Sequence, residues 1–169
     1  MSEYHIFSDG SARNNPGRGG YGTIVREVKD DKILSVKEFA EGFESTTNNR
    51  MELLGVITGL EYLPNEKQKV TVTSDSIYVV NAFNKGWLQT WILRGWIKPD
   101  NKPVKNVDLW ERLSKLTEKH DVTFKWVKGH AEHPENERCD FLATSAADGL
   151  KMTYKDDGTL EVEVPEDAT

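Results

Sequence analysis

Two apolar, alternating segments each run into a Ser-Asp pair: EYHIFSDGS at residues 3–11 and VTVTSDS at residues 70–76. Alternation of β-branched and aromatic residues with polar ones marks a strand with one buried face. A carboxylate at the end of an interior strand is costly unless its charge is compensated. Any fold of this chain must therefore meet that cost at Asp9 and Asp75. In open α/β sheets, sites gather off the carboxyl ends of the strands. If these two strands are parallel neighbours, their carboxylates converge and repel. A hard divalent cation removes the repulsion, and oxygen ligands with retained water are what Mg²⁺ prefers. The plainer role for either Asp alone is a turn or a helix cap.

The surrounding pattern supports such a sheet. Residues 3–9, 21–28 and 33–43 read as strands, separated by the turn cluster RNNPGRGG at 13–20 and by Asp30-Asp31, so an antiparallel meander is expected. The period then changes. Leu53, Leu54, Val56, Ile57 and Leu60 lie at helical spacing within a helix predicted over 51–63. A fourth strand follows at 69–73, a helix at 76–83, a Trp- and Lys-rich stretch without clear period at 86–102, and a helix at 107–119. A fifth strand at 122–127 and a last helix at 136–150 complete the order. A helical connection between strands four and five implies parallel neighbours. The expected architecture is α/β: a five-stranded mixed sheet, three antiparallel strands and then parallel strands four and five, with helices on both faces. Residues 1–150 form the expected folded domain, and 151–169 an acidic tail that either forms a hairpin around Asp157-Gly158 or stays disordered.

Composition narrows the function. The 169 residues suit one domain with a real core. No apolar run approaches the roughly 20 residues of a membrane span, and the N-terminus has no secretion-signal pattern. The single cysteine, Cys139, excludes a disulfide framework and fits a reducing cytoplasm. A net charge of −6 argues globally against a nucleic-acid binder. The charge is uneven, however. Lys85, Arg94, Lys98, Lys102 and Lys105 face only Asp100 within residues 84–106, whereas the tail from Lys151 carries six acids against two lysines. Phosphates would meet the basic patch.

Two further acids join the first pair. In TTNNRMELLG, Asn49 and Glu52 have capping-box spacing. Glu52 also shares a helical stripe with Gly55 and Gly59, and each glycine inside a helix costs roughly 1 kcal/mol relative to Ala. That face is expected to meet another element closely, which would bring Glu52 to Asp9 and Asp75. Asp140, in ENERCDFLATSAA, shares a stripe with Ala143, Thr144 and Ala147; its plainer role is a surface acid favoured by the helix dipole. His130 lies in a loop between Gly129 and Pro134. His130, His133 and Cys139 make a poor zinc set, with no second cysteine. A histidine near a metal site moves protons more naturally.

The strings SDGSARNNPGRGGYG, TTNNRMEL, VTVTSDS, RGW, KPVKNVDLW and WVKGHAEHPENERCD, in that order from Asp9 to about Asp148, resemble bacterial-type ribonuclease HI. The resemblance implies the ribonuclease H-like fold and a free-standing, monomeric endonuclease that cuts the RNA strand of an RNA–DNA hybrid, leaving 5′-phosphate and 3′-hydroxyl ends. It implies that Asp9, Glu52, Asp75 and Asp140 hold two Mg²⁺ ions, or Mn²⁺, and that His130 serves proton transfer or product release. It places Asn15, Asn48 and Asn49 in the minor groove, where amides that donate and accept suit sugar and base edges. Thr47 and Arg50 fall beside a phosphate of the DNA strand. The segment GWLQTWILRGWIKPDNKPVK resembles a basic protrusion, in which Trp87, Trp91 and Trp96 build a small core or stack on sugars, core being expected for at least two of them. Arg94, Lys98, Lys102 and Lys105 would contact phosphates there.

Leu93 and Ile97 stand where family members carry lysines, and Ile77 stands where a glutamine is common. The expected result is weaker hybrid binding than in a basic relative and a steeper fall of activity between low and physiological salt, measured as initial cleavage rates; a flat salt profile would refute it. Rival readings are a catalytically silent hybrid-binding module, a DNA nuclease on the same scaffold and a zinc-stabilised interaction domain. Substrate comparison and zinc content discriminate among them.

Overall fold

The computed structural model describes residues 1–129 and 133–166. Three long antiparallel strands open the chain: β1 (Glu3–Ala12), β2 (Gly17–Lys29) and β3 (Lys32–Thr46). Helix α1 (Asn48–Tyr62) leads to β4 (Lys69–Ser74), then α2 (Ile77–Asn84), α3 (Trp87–Leu93) and α4 (Val107–Lys119). Strand β5 (Asp121–Trp126), α5 (Pro134–Ala147) and the short strands β6 (Met152–Tyr154) and β7 (Leu160–Val162) complete it. The main sheet has the order β3-β2-β1-β4-β5, antiparallel across the first three strands and parallel across β1-β4-β5. The predicted mixed sheet is thus the one observed.

The differences from the sequence reading are local. The glycine-rich segment predicted as turn pairs as strand from Gly17, because its partners Thr46 and Phe43 extend β3 alongside it. Helix α1 starts at Asn48, and its cap is Thr47, whose hydroxyl accepts from the Arg50 N–H at 3.3 Å. The Asn49–Glu52 capping box therefore does not form. The stretch after Gly86 contains a short helix, α3, that its sequence period does not reveal.

Strand pleat assigns the two faces. Tyr21 and Thr23 of β2 meet α1 at Gly55, and the Thr23 hydroxyl donates to the Gly55 carbonyl at 2.7 Å. Gly20 and Gly22, of opposite parity, lie against α5. A Cβ on Gly22 would sit 2.4 Å from the Cys139 carbonyl oxygen, so the missing side chain is what lets α5 lie flush on the sheet. On the α1 side, Ile6, Leu53, Val56, Ile57, Val72, Trp110 and Leu113 are fully enclosed. Each such side chain contributes roughly 1.5–3 kcal/mol of transfer free energy.

On the α5 face, Glu38 of β3 is buried. Its carboxylate accepts two hydrogen bonds from Arg138 at 2.9 Å each and one from the Leu160 N–H at 2.7 Å. Arg138 also donates to the Leu160 carbonyl, and the Tyr154 hydroxyl donates to the Glu38 carbonyl at 2.6 Å. The Glu38 N–H donates to the Gly158 carbonyl at 2.9 Å. Sheet, helix and C-terminal hairpin thus share one buried ion pair. Among the described residues no helix is long and apolar enough to cross a membrane.

Candidate active site at the strand ends

The parallel register pairs Ser8 with Ser74, so Asp9 and Asp75 follow side by side off the carboxyl ends of β1 and β4. Asp75 does not cap the helix after it. That role falls to Ser76, whose hydroxyl accepts from the Val79 N–H at 3.2 Å. The Asp75 carboxylate is free of the plainer duty its sequence position allowed. Glu52 arrives from α1, whose close seating depends on Gly55: a Cβ there would lie 2.3 Å from the Ser8 hydroxyl oxygen.

Asp9, Glu52 and Asp75 each present a carboxylate oxygen within 4.8 Å of the other two. Burial raises the Asp9 pKa to about 7, with the Asp75 charge adding to the rise and the Gly10 N–H, donating at 2.9 Å, opposing it. Burial likewise holds Glu52 well above the ordinary carboxylate range, reinforced by Asp9 and Asp75. Glu52 Oε1 is buried with no hydrogen-bond partner among the described residues. Three converging carboxylates, one of which carries a buried oxygen without a partner, supply the oxygen donor set of a hard divalent cation, so these residues fit Mg²⁺ or Mn²⁺.

Asp140 sits in the second turn of α5, half-buried. It lies outside the tight trio yet near enough for its charge to push the Asp9 pKa up. His130 lies outside the described residues. His133, the other member of the zinc alternative, is the exposed residue preceding α5, and Cys139 is fully buried with its thiol pKa raised by burial. Among the described residues those two do not form a metal-ligand group.

The family scan matches the RNase H model over residues 1–148. The chain belongs to the RNase H family. A ribonuclease H of Lachnoclostridium phytofermentans is 54% identical over 157 residues, covering 92% of this chain and 98% of the relative. A crystal structure of LC9-RNase H1, described as a type 1 RNase H with the type 2 active-site motif, aligns with TM-score 0.77 and 28% identity over 96% of this chain and 78% of that one. LC11-RNase H1, solved in complex with an RNA/DNA hybrid, shares the fold with TM-score 0.59 at 23% identity, over 87% of this chain and 98% of its own.

Around this RNase H site, the groove residues expected from the sequence are tied together. The Asn15 side-chain oxygen accepts from the Asn48 N–H at 3.0 Å, and the Asn48 oxygen accepts from the Ala12 N–H at 2.6 Å. The β1–β2 turn is thereby stitched to the start of α1, while Asn49 stays exposed. Arg50 grips Asp108 with both terminal nitrogens, at 3.0 and 2.8 Å, and reaches the Asn106 side chain at 3.2 Å. Its hydrogen bonds hold the Asp108 pKa low. Arg50 thus anchors the segment that carries the basic residues onto α1. Trp91 is buried in the core and Trp96 packs against it, whereas Trp87 is exposed. Arg94, Lys102 and Lys105 are exposed, and Lys98 stands 3.9 Å from Asp100. Leu93 is 85% exposed, an apolar group where a cation would serve phosphates better.

Two residues near the acids escaped the sequence reading. The Trp126 indole N–H donates to the Asp75 carbonyl at 3.1 Å, and Gly129 lies against the Asp75 carboxylate. The string WVKGH contains both, but nothing in its spacing indicates which strand end it will cover.

Proposed function

We propose that this protein is an endonuclease that hydrolyses the RNA strand of RNA–DNA hybrids, with divalent metal held by Asp9, Glu52, Asp75 and Asp140. The convergence of one carboxylate oxygen from each of three residues within 4.8 Å, with a buried, unpartnered oxygen on Glu52, carries this reading. Two bound Mg²⁺ ions, or Mn²⁺ in their place, would stabilise the attacking and leaving oxygens of an in-line displacement. The chain's own residues do the rest. Asp9, Glu52 and Asp75 set the position of positive charge from three separate elements, so a phosphodiester can be aligned only where all three point. Asp140 adds negative charge from the α5 side. His130 carries a proton to or from the departing group. A water oxygen bonds to phosphorus as the P–O3′ bond breaks, and protonation of the departing oxygen leaves a 3′-hydroxyl and a 5′-phosphate.

Asn15, Asn48 and Asn49 line the minor groove, where the 2′-hydroxyl distinguishes RNA from DNA. Thr47 and Arg50 act at the phosphate of the DNA strand, Arg50 chiefly by holding the basic segment through Asp108. Trp87, the exposed indole, stacks on sugar. Trp91 and Trp96 serve as the small core beneath Arg94, Lys98, Lys102 and Lys105, which meet phosphates. The protein acts as a monomer in the cytoplasm.

The test is cleavage of a hybrid labelled on each strand, with Mg²⁺, beside Asp75→Asn and an EDTA control. The expected result is scission of the RNA strand alone, lost in both controls. Hybrid binding without cleavage by the wild type would replace this reading with the silent module; cutting of double-stranded DNA would replace it with a DNA nuclease.

A further inference from the structure

The exit of β5 is built around Asp75. Strand β5 runs parallel to β4 with Trp126 in register with Ser74, and the Val127 N–H continues the ladder by donating to the Ser74 carbonyl at 3.0 Å. The Trp126 indole then donates to the Asp75 carbonyl at 3.1 Å, although the residue is 47% exposed. An indole left half in water, with its only polar atom spent on a neighbouring backbone, is an anchor rather than a core side chain. Two residues after Val127 the chain passes over the acid itself. A Cβ on Gly129 would sit 2.8 Å from Asp75 Oδ2, with its next contacts to the Asp75 Cγ and Cβ at 3.6 and 3.7 Å. Gly129 is not among the residues of left-handed backbone. Any residue could adopt its conformation, so what the site requires is the absence of a side chain.

We propose that Trp126 and Gly129 are positioning residues that set the Asp75 carboxylate against Asp9 and Glu52. Trp126 fixes the backbone of Asp75 from the outside. Gly129 presents a flat wall against Oδ2 and limits how far the carboxylate can swing away from the other two acids. A methyl group at 129 would be relieved most easily by rotating the Asp75 side chain, because a carboxylate tip yields before backbone does. The fold loses nothing by that rotation, but the trio loses its geometry. This inference rests on the reading that the acids hold metal.

The experiment compares Gly129→Ala and Trp126→Phe with wild type by calorimetric titration of Mn²⁺ into the metal-free full-length protein, alongside thermal unfolding in EDTA. Groups that orient a metal ligand without touching the metal typically change affinity about 10–100-fold. The expected result is Mn²⁺ affinity about tenfold or more weaker in Gly129→Ala, a smaller loss in Trp126→Phe, and unchanged unfolding of Gly129→Ala in EDTA. Wild-type affinity in Gly129→Ala would overturn the proposal, as would an affinity loss accompanied by a matching loss of metal-free stability. Absence of Mn²⁺ binding by the wild type would instead defeat the metal reading beneath it.

Discussion

Asp9→Asn is expected to abolish catalysis and, in the same molecule, to stabilise the metal-free fold. Hybrid cleavage should fall by at least about 1,000-fold, since loss of one transition-state charge contact at a metal site is worth several kcal/mol and each 1.4 kcal/mol is about tenfold in rate. The stability effect has the opposite sign. In the fold Asp9 keeps its proton up to about pH 7, against an ordinary value of 3.8. Between those values the folded state binds more protons than the unfolded chain, so metal-free stability declines as pH rises through that window. At pH 8 the buried Asp9 carboxylate is charged beside Asp75 in the wild type, and the neutral amide removes that cost. Chemical denaturation in EDTA at pH 8 should show Asp9→Asn more stable by roughly 1–3 kcal/mol, as one pKa unit corresponds to about 1.4 kcal/mol. The gain should shrink towards pH 4. Added Mg²⁺ should stabilise the wild type by mass action and the variant much less. A variant less stable than wild type at pH 8 without metal would show that the carboxylates do not strain the fold.

Glu38→Ala should cause the largest loss of stability. Removing the carboxylate strips Arg138 of two hydrogen bonds and the Leu160 N–H of one, at a position only 4% exposed. Breaking a buried ion pair from one side costs about 3–5 kcal/mol. Arg138 retains 34% side-chain exposure, which places the expected loss near the lower figure, about 3 kcal/mol, or roughly 6–12 °C in Tm for a domain of this size. Glu38→Gln, which keeps the shape and one acceptor, should lose less than half of that. The loosened hairpin should become the first segment cut in limited proteolysis. A loss under about 1 kcal/mol for Glu38→Ala would mean that the ion pair is a passenger on packing that holds without it.

These two residues mark the limits of what the sequence displays. Asp9 and Asp75 were legible because an alternating strand that ends in an acid is locally inconsistent, and such inconsistency gathers at functional sites. Glu52 was legible through the glycines on its stripe, which require the close approach that Ser8 provides. Glu38 offers no such signal. It is one acid on a strand that carries several, and its partner lies 100 residues away on α5. Burial of that pair depends on the hairpin covering it, and the hairpin's own sequence equally allows disorder. Helix α3 was hidden for a different reason. Its seven residues are too few to establish a period, and of its five apolar groups Leu88 and Trp91 turn to the core while Trp87, Ile92 and Leu93 are exposed. The cap of α1 was misplaced because Thr47 and Asn49 are both good capping residues, and the choice between them falls to the stitching of Asn48 to the β1–β2 turn.

The β1–β4 register ties chemistry to folding quality. Ile6 pairs with Val72 and Ser8 with Ser74, both in the interior, and the acids follow one step beyond. Because side chains alternate with a period of two, a slip of one residue would turn Ile6 out of the core and send Asp9 to the opposite face. A mispaired chain therefore cannot keep a sound interior around a spoiled site. Molecules that pass for native by their compactness are also those whose acids meet, so the active fraction of a preparation reports directly on its correctly threaded fraction.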